Sequence, residues 1–316
     1  GLAVDPASGR SMAKNSFTQK QRKIMTSVQT QEMRTFPGKG GLPMLEIENR
    51  AAKALISLYG GQVLSWQPLG EEQVLFISAK SWFEAGKAIR GGVPVCWPWF
   101  GPHPSGGGLP MHGFARLQEW RLQHVTSTQA NETSAVLELE DSPATLALWP
   151  HPFQLRLQVD VGAHLRIALT MTNRDTEEVE ITAALHSYFQ LGEAELVHIT
   201  GLDDTFYIDT LQQEHTTLQQ GQIKIDREIN RIYLETGSSC TIYDPALERQ
   251  IVVKKEGSRS TVVWNPWQER SRAFQDLGGE EYKRFVCIEA GNVRQDRILL
   301  APAASHTLAT EFTVIH

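Results

Sequence analysis

The stretch Phe153-Gln154-Leu155-Arg156-Leu157-Gln158-Val159-Asp160-Val161 decides how this chain is read. Apolar residues occupy every second position, with glutamine, arginine and aspartate between them. Successive side chains of a strand point to opposite faces, so this alternation buries one face and wets the other; a helix would scatter the same residues around its circumference. Comparable short segments recur at 44–48, 54–58, 62–66, 135–139, 165–171, 179–184, 240–243, 250–254, 261–264 and 285–288. Turn chemistry separates them, as in Tyr59-Gly60-Gly61, Thr172-Asn173-Arg174-Asp175 and Tyr243-Asp244-Pro245. So many strands at this spacing predict an all-β fold, a large antiparallel β-sandwich.

One or two short helices complete the expectation. The clear one runs from Ser142, a capping residue, through Pro143 in the first turn to Trp149 before Pro150, as a cover over an edge of the sandwich. The sequence shows neither an internal repeat nor a heptad pattern. Gly106-Gly107-Gly108 lacks the Lys-Ser/Thr of a nucleotide loop, so nucleotide binding is not expected.

The 316 residues, 41% hydrophobic and 21% charged, describe a globular chain with a sizeable core. Residues 25–316 read as a single domain. Residues 1–24 read as a disordered leader, either an added remnant or a mobile arm, since Met12 and Met25 can each serve as a start. That leader lacks the apolar core of a secretory signal. A net charge of -6 and a pI near 6.0 argue against holding nucleic acid or an anionic membrane by bulk electrostatics. The longest apolar run, 93–100, is too short to span a bilayer and is broken by Pro94 and Pro98. Cys96, Cys240 and Cys287 are odd in number and far apart, which suits buried thiols in a reducing, cytoplasmic compartment.

Chemistry concentrates in Ala88-Ile89-Arg90-Gly91-Gly92-Val93-Pro94-Val95-Cys96-Trp97-Pro98-Trp99-Phe100-Gly101 and, soon after, His112-Gly113-Phe114-Ala115-Arg116. Arginine forks grip phosphate or carboxylate through paired hydrogen bonds, and Trp97, Trp99 and Phe114 offer flat faces to a sugar ring. The Gly91-Gly92 step permits close backbone approach by a ligand. A plainer alternative pairs the arginines with some of the 36 acidic residues. His112, in the same segment, reads either as a hydrogen-bond partner for a sugar or phosphate or as loop packing.

Two further segments carry proton chemistry. Glu289 lies in the apolar run Val286-Cys287-Ile288-Glu289-Ala290-Gly291, where desolvation raises a carboxyl toward the range of a general base. His186 ends the apolar run Ile181-Thr182-Ala183-Ala184-Leu185. Alone, each has an ordinary reading: a solvated strand-end glutamate and a satisfied core histidine. Only as a pair would the two rise above those ordinary readings. The ten histidines form no cluster at metal-ligand spacing, so neither metal nor cofactor is expected. Val263-Trp264-Asn265-Pro266-Trp267 adds an aromatic turn that can line a pocket or wedge the sheets apart.

In order, Ile89-Arg90-Gly91-Gly92-Val93-Pro94 with Trp97-Pro98-Trp99-Phe100-Gly101, His112-Gly113-Phe114-Ala115-Arg116, Leu185-His186-Ser187-Tyr188-Phe189, Val263 to Trp267 and Cys287-Ile288-Glu289-Ala290-Gly291 resemble the aldose 1-epimerase (galactose mutarotase-like) superfamily, in its hexose-6-phosphate branch. The resemblance covers roughly residues 45–316. It implies a twisted supersandwich with a sugar groove on one sheet, His186 as general acid, Glu289 as general base, and Arg90 and Arg116 as substrate and phosphate contacts. His112, Asn230, Trp99 and Phe114 join the expected substrate site. Two positions depart from relatives: Asn230 stands where an aspartate precedes the arginine, and Met111 where some have glutamine. The implied partner is a hexose 6-phosphate, bound by a monomer or weak homo-oligomer. Mutarotation of unphosphorylated aldoses and a non-catalytic sugar-phosphate binding module are the alternatives.

Overall fold

The computed structural model describes residues 33–128, 131–237 and 239–316, and the leader expected at 1–24 lies outside them. Two large antiparallel sheets dominate. The first has nine strands in the order Ile223–Lys224, His198–Thr200, Cys240–Asp244, Arg249–Glu256, Ser305–Ile315, His164–Asn173, Phe153–Val161, Thr133–Glu140 and Arg121–Ser127. The second has eight: His215–Leu218, Phe206–Asp209, Ile229–Tyr233, Ser260–Asn265, Phe285–Asn292, Ala183–Leu185 and Val95–Cys96, with Tyr188–Gln190 also paired to Phe285–Asn292. A four-stranded sheet, Met33–Pro37 through Gln62–Pro68, and the pair Val179–Ile181 with Ile298–Leu300 complete the framework.

The alternation that opened the reading is obeyed in space. Leu155, Leu157, Val159 and Val161 are fully buried and share one cluster with Val286, Ile288 and Ala290 of the eight-stranded sheet. The interleaved polar residues look outward and pair along the surface, Gln158 donating to Asp160 and Ser134 also donating to Asp160. Apolar burial at this scale is the main favourable term in folding, so the strand period fixes the register.

Helix Pro143–Leu148 starts as the sequence predicts. Thr145 N donates to Ser142 Oγ at 3.2 Å and Ser142 N donates back to Thr145 Oγ1 at 2.8 Å, a reciprocal capping box. The aromatic turn around Asn265 opens a second helix, Trp267–Ala273. Asn265 pins it over the sheet, accepting from Trp267 N at 2.8 Å and donating to the carbonyls of Tyr282 at 2.9 Å and Phe285 at 2.8 Å.

The glycine step has a different purpose from the one its sequence suggested. Gly91 and Gly92 have φ of 126° and 60°, and an added Cβ would stand 2.3 Å from Phe76 O and 2.1 Å from Val63 O. The backbone that approaches them belongs to the protein, which threads the Arg90 segment between the segments at Val63 and Phe76.

Candidate active site

Strand Phe285–Asn292 is buried along its whole length, on both faces. Its even positions enter the inter-sheet core, while Phe285, Cys287 and Glu289 face the other way beside Trp264 and Val262 of the neighbouring strand. On the opposite side Ala290 pairs with Leu185, and the chain turns at His186, whose N–H donates to Pro94 O at 3.0 Å. The turn carries the imidazole over Glu289. His186 Nε2 lies 3.3 Å from Glu289 Oε1, with the two side chains 9% and 1% exposed.

Neither group is satisfied by this contact. His186 Nδ1 and Glu289 Oε2 are buried without a protein hydrogen-bond partner, a costly arrangement unless a ligand supplies the partners. Burial pushes the Glu289 carboxyl well above the usual range, with Arg116 pulling in the other direction. Burial, then the cations Arg116 and Arg90, push His186 down to about 3. In the unliganded pair the shared proton therefore belongs on the carboxyl and the imidazole is neutral. That differs from a resting carboxylate and imidazolium, although the proton count is the same.

Four further groups surround the pair. Tyr188 stacks on His186 with ring centres 4.9 Å apart, and Trp264 meets it edge-on at 5.8 Å. The His112 ring lies 5.5 Å from that of His186, and its Nδ1 accepts from Gly101 N at 2.9 Å. Burial, then Arg116, His186 and Arg90, hold His112 well below its ordinary range, so the neutral ring carries its proton on Nε2 as a donor. Cys287 lies close by, its Sγ within 4.8 Å of a ring nitrogen of His186 and a carboxylate oxygen of Glu289. Burial raises its thiol strongly, and Glu289 adds to this.

The two arginines stand in different surroundings. Arg90 is paired with Asp276 and bonded to Tyr188. Among the described residues no carboxylate pairs with Arg116; Nη2 donates to Met111 O at 2.8 Å, and Nε is buried without a partner. Burial lowers its pKa from the ordinary arginine value. The Met111 side chain is half exposed and the contact uses only its carbonyl, so the side-chain difference from relatives does not reach Arg116.

Asn230 aligns with Trp264, which aligns with Cys287, so it shares the face that carries Glu289. Phe114 is placed otherwise than expected. It is fully buried among Trp97, Trp99 and Phe153 at ring distances of 5.7, 5.9 and 5.8 Å, and presents no face to a ligand. Trp97 lies in the same cluster, and Trp99, 5% exposed, donates to Pro110 O. These rings form the wall behind the site because aromatic area is most favourably buried in the sandwich core. The ring surface at the pair comes from Tyr188 and Trp264. Phe274 and Asp276 escaped the sequence reading, and Tyr188, quoted there beside His186, was given no role.

Comparison with known proteins gives a consistent result. Residues 43–313 match the family model described as "Aldose 1-epimerase". A protein of Cenchrus ciliaris named "Putative glucose-6-phosphate 1-epimerase" is 38% identical over 251 residues, covering 77% of this chain and 75% of the relative. A protein of Escherichia coli with the same name is 36% identical over 265 residues, covering 84% and 88%. The crystal structure of a "putative mutarotase (YeaD)" from Salmonella typhimurium superposes with a TM-score of 0.84 at 33% identity, covering 93% of this chain and 99% of that one.

Proposed function

This chain belongs to the aldose 1-epimerase family, and from that membership we propose that it is an isomerase that interconverts the α and β anomers of D-glucose 6-phosphate. The observation that carries the reading is the buried pair His186 and Glu289, 3.3 Å apart, each with a polar atom lacking a protein partner. An anomeric hydroxyl and a ring oxygen supply a donor and an acceptor of the kind such atoms lack.

The chemistry follows from a hemiacetal. Glu289 takes the proton of the C1 hydroxyl as the C1–O5 bond breaks; O5 receives a proton from His186, and C1 becomes an aldehyde carbon. Rotation about C1–C2 presents the other face, and the reverse transfers close the ring. Proton is exchanged for proton, so the cycle balances without electron transfer. For this cycle the pair's proton must move from the carboxyl to the imidazole. Hydroxyl donors on Glu289 favour its carboxylate, and a phosphate beside the arginines offsets the positive charge that depresses His186. The phosphorylated sugar thereby readies its own acid. His112, with Nε2–H as donor, and Asn230 offer hydrogen bonds to sugar hydroxyls.

Exchange NMR of glucose 6-phosphate and of glucose, with wild type and Glu289→Gln, tests the proposal. Acceleration for the phosphate, little for glucose, and loss in the variant are the expected outcome. A folded wild type that accelerates neither sugar would leave a binding module as the better account; equal acceleration of both would favour a general aldose mutarotase.

A further inference from the structure

Arg90 is held as few surface arginines are. Nε donates to Asp276 Oδ2 and Nη2 to Asp276 Oδ1, both at 3.1 Å, in a bidentate fork. Nη1 donates to Tyr188 Oη at 3.3 Å, and Phe274 lies under the guanidinium with its ring centre 4.5 Å from Cζ. Three of the five donor hydrogens of a guanidinium are thus occupied and two remain. Asp276 is 5% exposed, and a carboxylate so buried is costly unless paired.

Both partners are anchored from behind. Glu281 accepts from Gly278 N at 2.6 Å, just beyond Asp276, and also from Ser78 Oγ at 2.6 Å and Ala79 N at 2.8 Å. Ser78 N in turn donates to Arg90 O at 3.0 Å, and Arg90 N donates to Ser81 Oγ at 2.8 Å. One carboxylate therefore ties the Asp276 loop to the Arg90 loop.

We propose that Asp276 is a positioning residue for the epimerisation: it fixes the Arg90 fork against Tyr188 and balances its charge, so that Arg90 serves as an aimed donor to the sugar and Arg116 is the uncompensated cation for the phosphate. The inference rests on the proposed hexose 6-phosphate reading and divides the work of its two arginines. Its signature is an asymmetry. Loss of Asp276 disturbs the turnover step without weakening anion binding, whereas loss of Arg116 weakens anion binding itself.

The test uses the full chain with Asp276→Asn, Asp276→Glu and Arg116→Gln, each checked for cooperative unfolding. Asp276→Asn is expected to lower kcat up to ~100-fold for glucose 6-phosphate, the scale on which misaimed groups act. Inhibition by inorganic phosphate should be unchanged or stronger. Asp276→Glu should recover part of kcat. The Asn variant also leaves Arg90 uncompensated near a pair faced by Arg116, His112, Cys96, Cys287 and Tyr188, so both limbs of its pH–rate profile should move to lower pH. Arg116→Gln should weaken phosphate inhibition at least ~10-fold. Weakened phosphate inhibition in Asp276→Asn, or a wild-type kcat and pH profile in that variant, would overturn the proposal. The Nε–H signal of Arg90 in NMR provides a readout independent of turnover. If wild type fails to epimerise, the functional reading falls, while loss of a protected Nε–H signal in Asp276→Asn still decides whether Asp276 holds Arg90.

Discussion

The nine-stranded and eight-stranded sheets use the same backbone geometry for opposite ends. In the first, strand Phe153–Val161 buries its apolar face and leaves Gln154, Arg156 and Gln158 at the outer surface, where they find partners or water. In the second, strand Phe285–Asn292 is covered on both sides, so its one carboxylate is shielded from bulk solvent. A polar group on an open face is nearly neutral to stability; the same group between two covered faces is costly until something completes it. The contrast teaches that the site lies where the sheet stops alternating between protein and solvent.

The hardest way to strain this contrast is Glu289→Gln, which keeps volume but removes the proposed base. Anomer exchange of glucose 6-phosphate is expected to fall ~100- to 10,000-fold with the fold retained, as NMR exchange and a melting curve would report together. Glu138→Gln on the nine-stranded sheet, made in parallel, should leave exchange at wild-type rates. If both variants behave alike, the distinction between the sheets is wrong.

A packing change should give the converse. Leu157 is fully buried under the nine-stranded sheet, and Leu157→Ala is expected to cost about 2–5 kcal/mol in urea unfolding. At a temperature where the variant remains folded, its KM should match wild type.

Acid unfolding sharpens the comparison through His186. Its folded-state pKa of about 3 lies below the ordinary 6.5, so the unfolded chain binds more protons between those values. Its contribution to stability is complete above pH 6.5 and is lost as pH falls toward 3. His186→Gln should flatten the stability slope across that window in urea titrations. An unchanged slope would mean that folding does not depress the imidazole.

The smallest effect is expected at the outer surface. Thr170 and Thr307 share a hydroxyl contact of 2.8 Å across exposed strands, and Thr170→Val should shift stability by no more than about 0.5 kcal/mol with exchange untouched.

Much of this was legible in one dimension. Strand alternation, the Ser142 cap and the turn residues act over two to four positions, so they are visible to local reading. The same holds for His186 and Glu289, each of which interrupts an apolar run with a titratable group. Phe114 misled because an aromatic ring serves a core and a sugar face equally well, and only the neighbouring sheet decides which. The glycines at 91 and 92 misled in the same way, since close approach was correct but the approaching backbone was the protein's own.

By itself the sequence determined the β class, the short capped helix and the residue types able to move protons, because periodicity and local hydrogen-bond chemistry need no distant partner. Tertiary structure alone decided that Asp276 neutralises Arg90 while Arg116 stands without a carboxylate among the described residues. Arg90 and Asp276 are separated by 186 positions, and which carboxylate meets which guanidinium depends on long-range sheet pairing. Charge compensation is set by distance and burial in space, and neither is written in the order of residues.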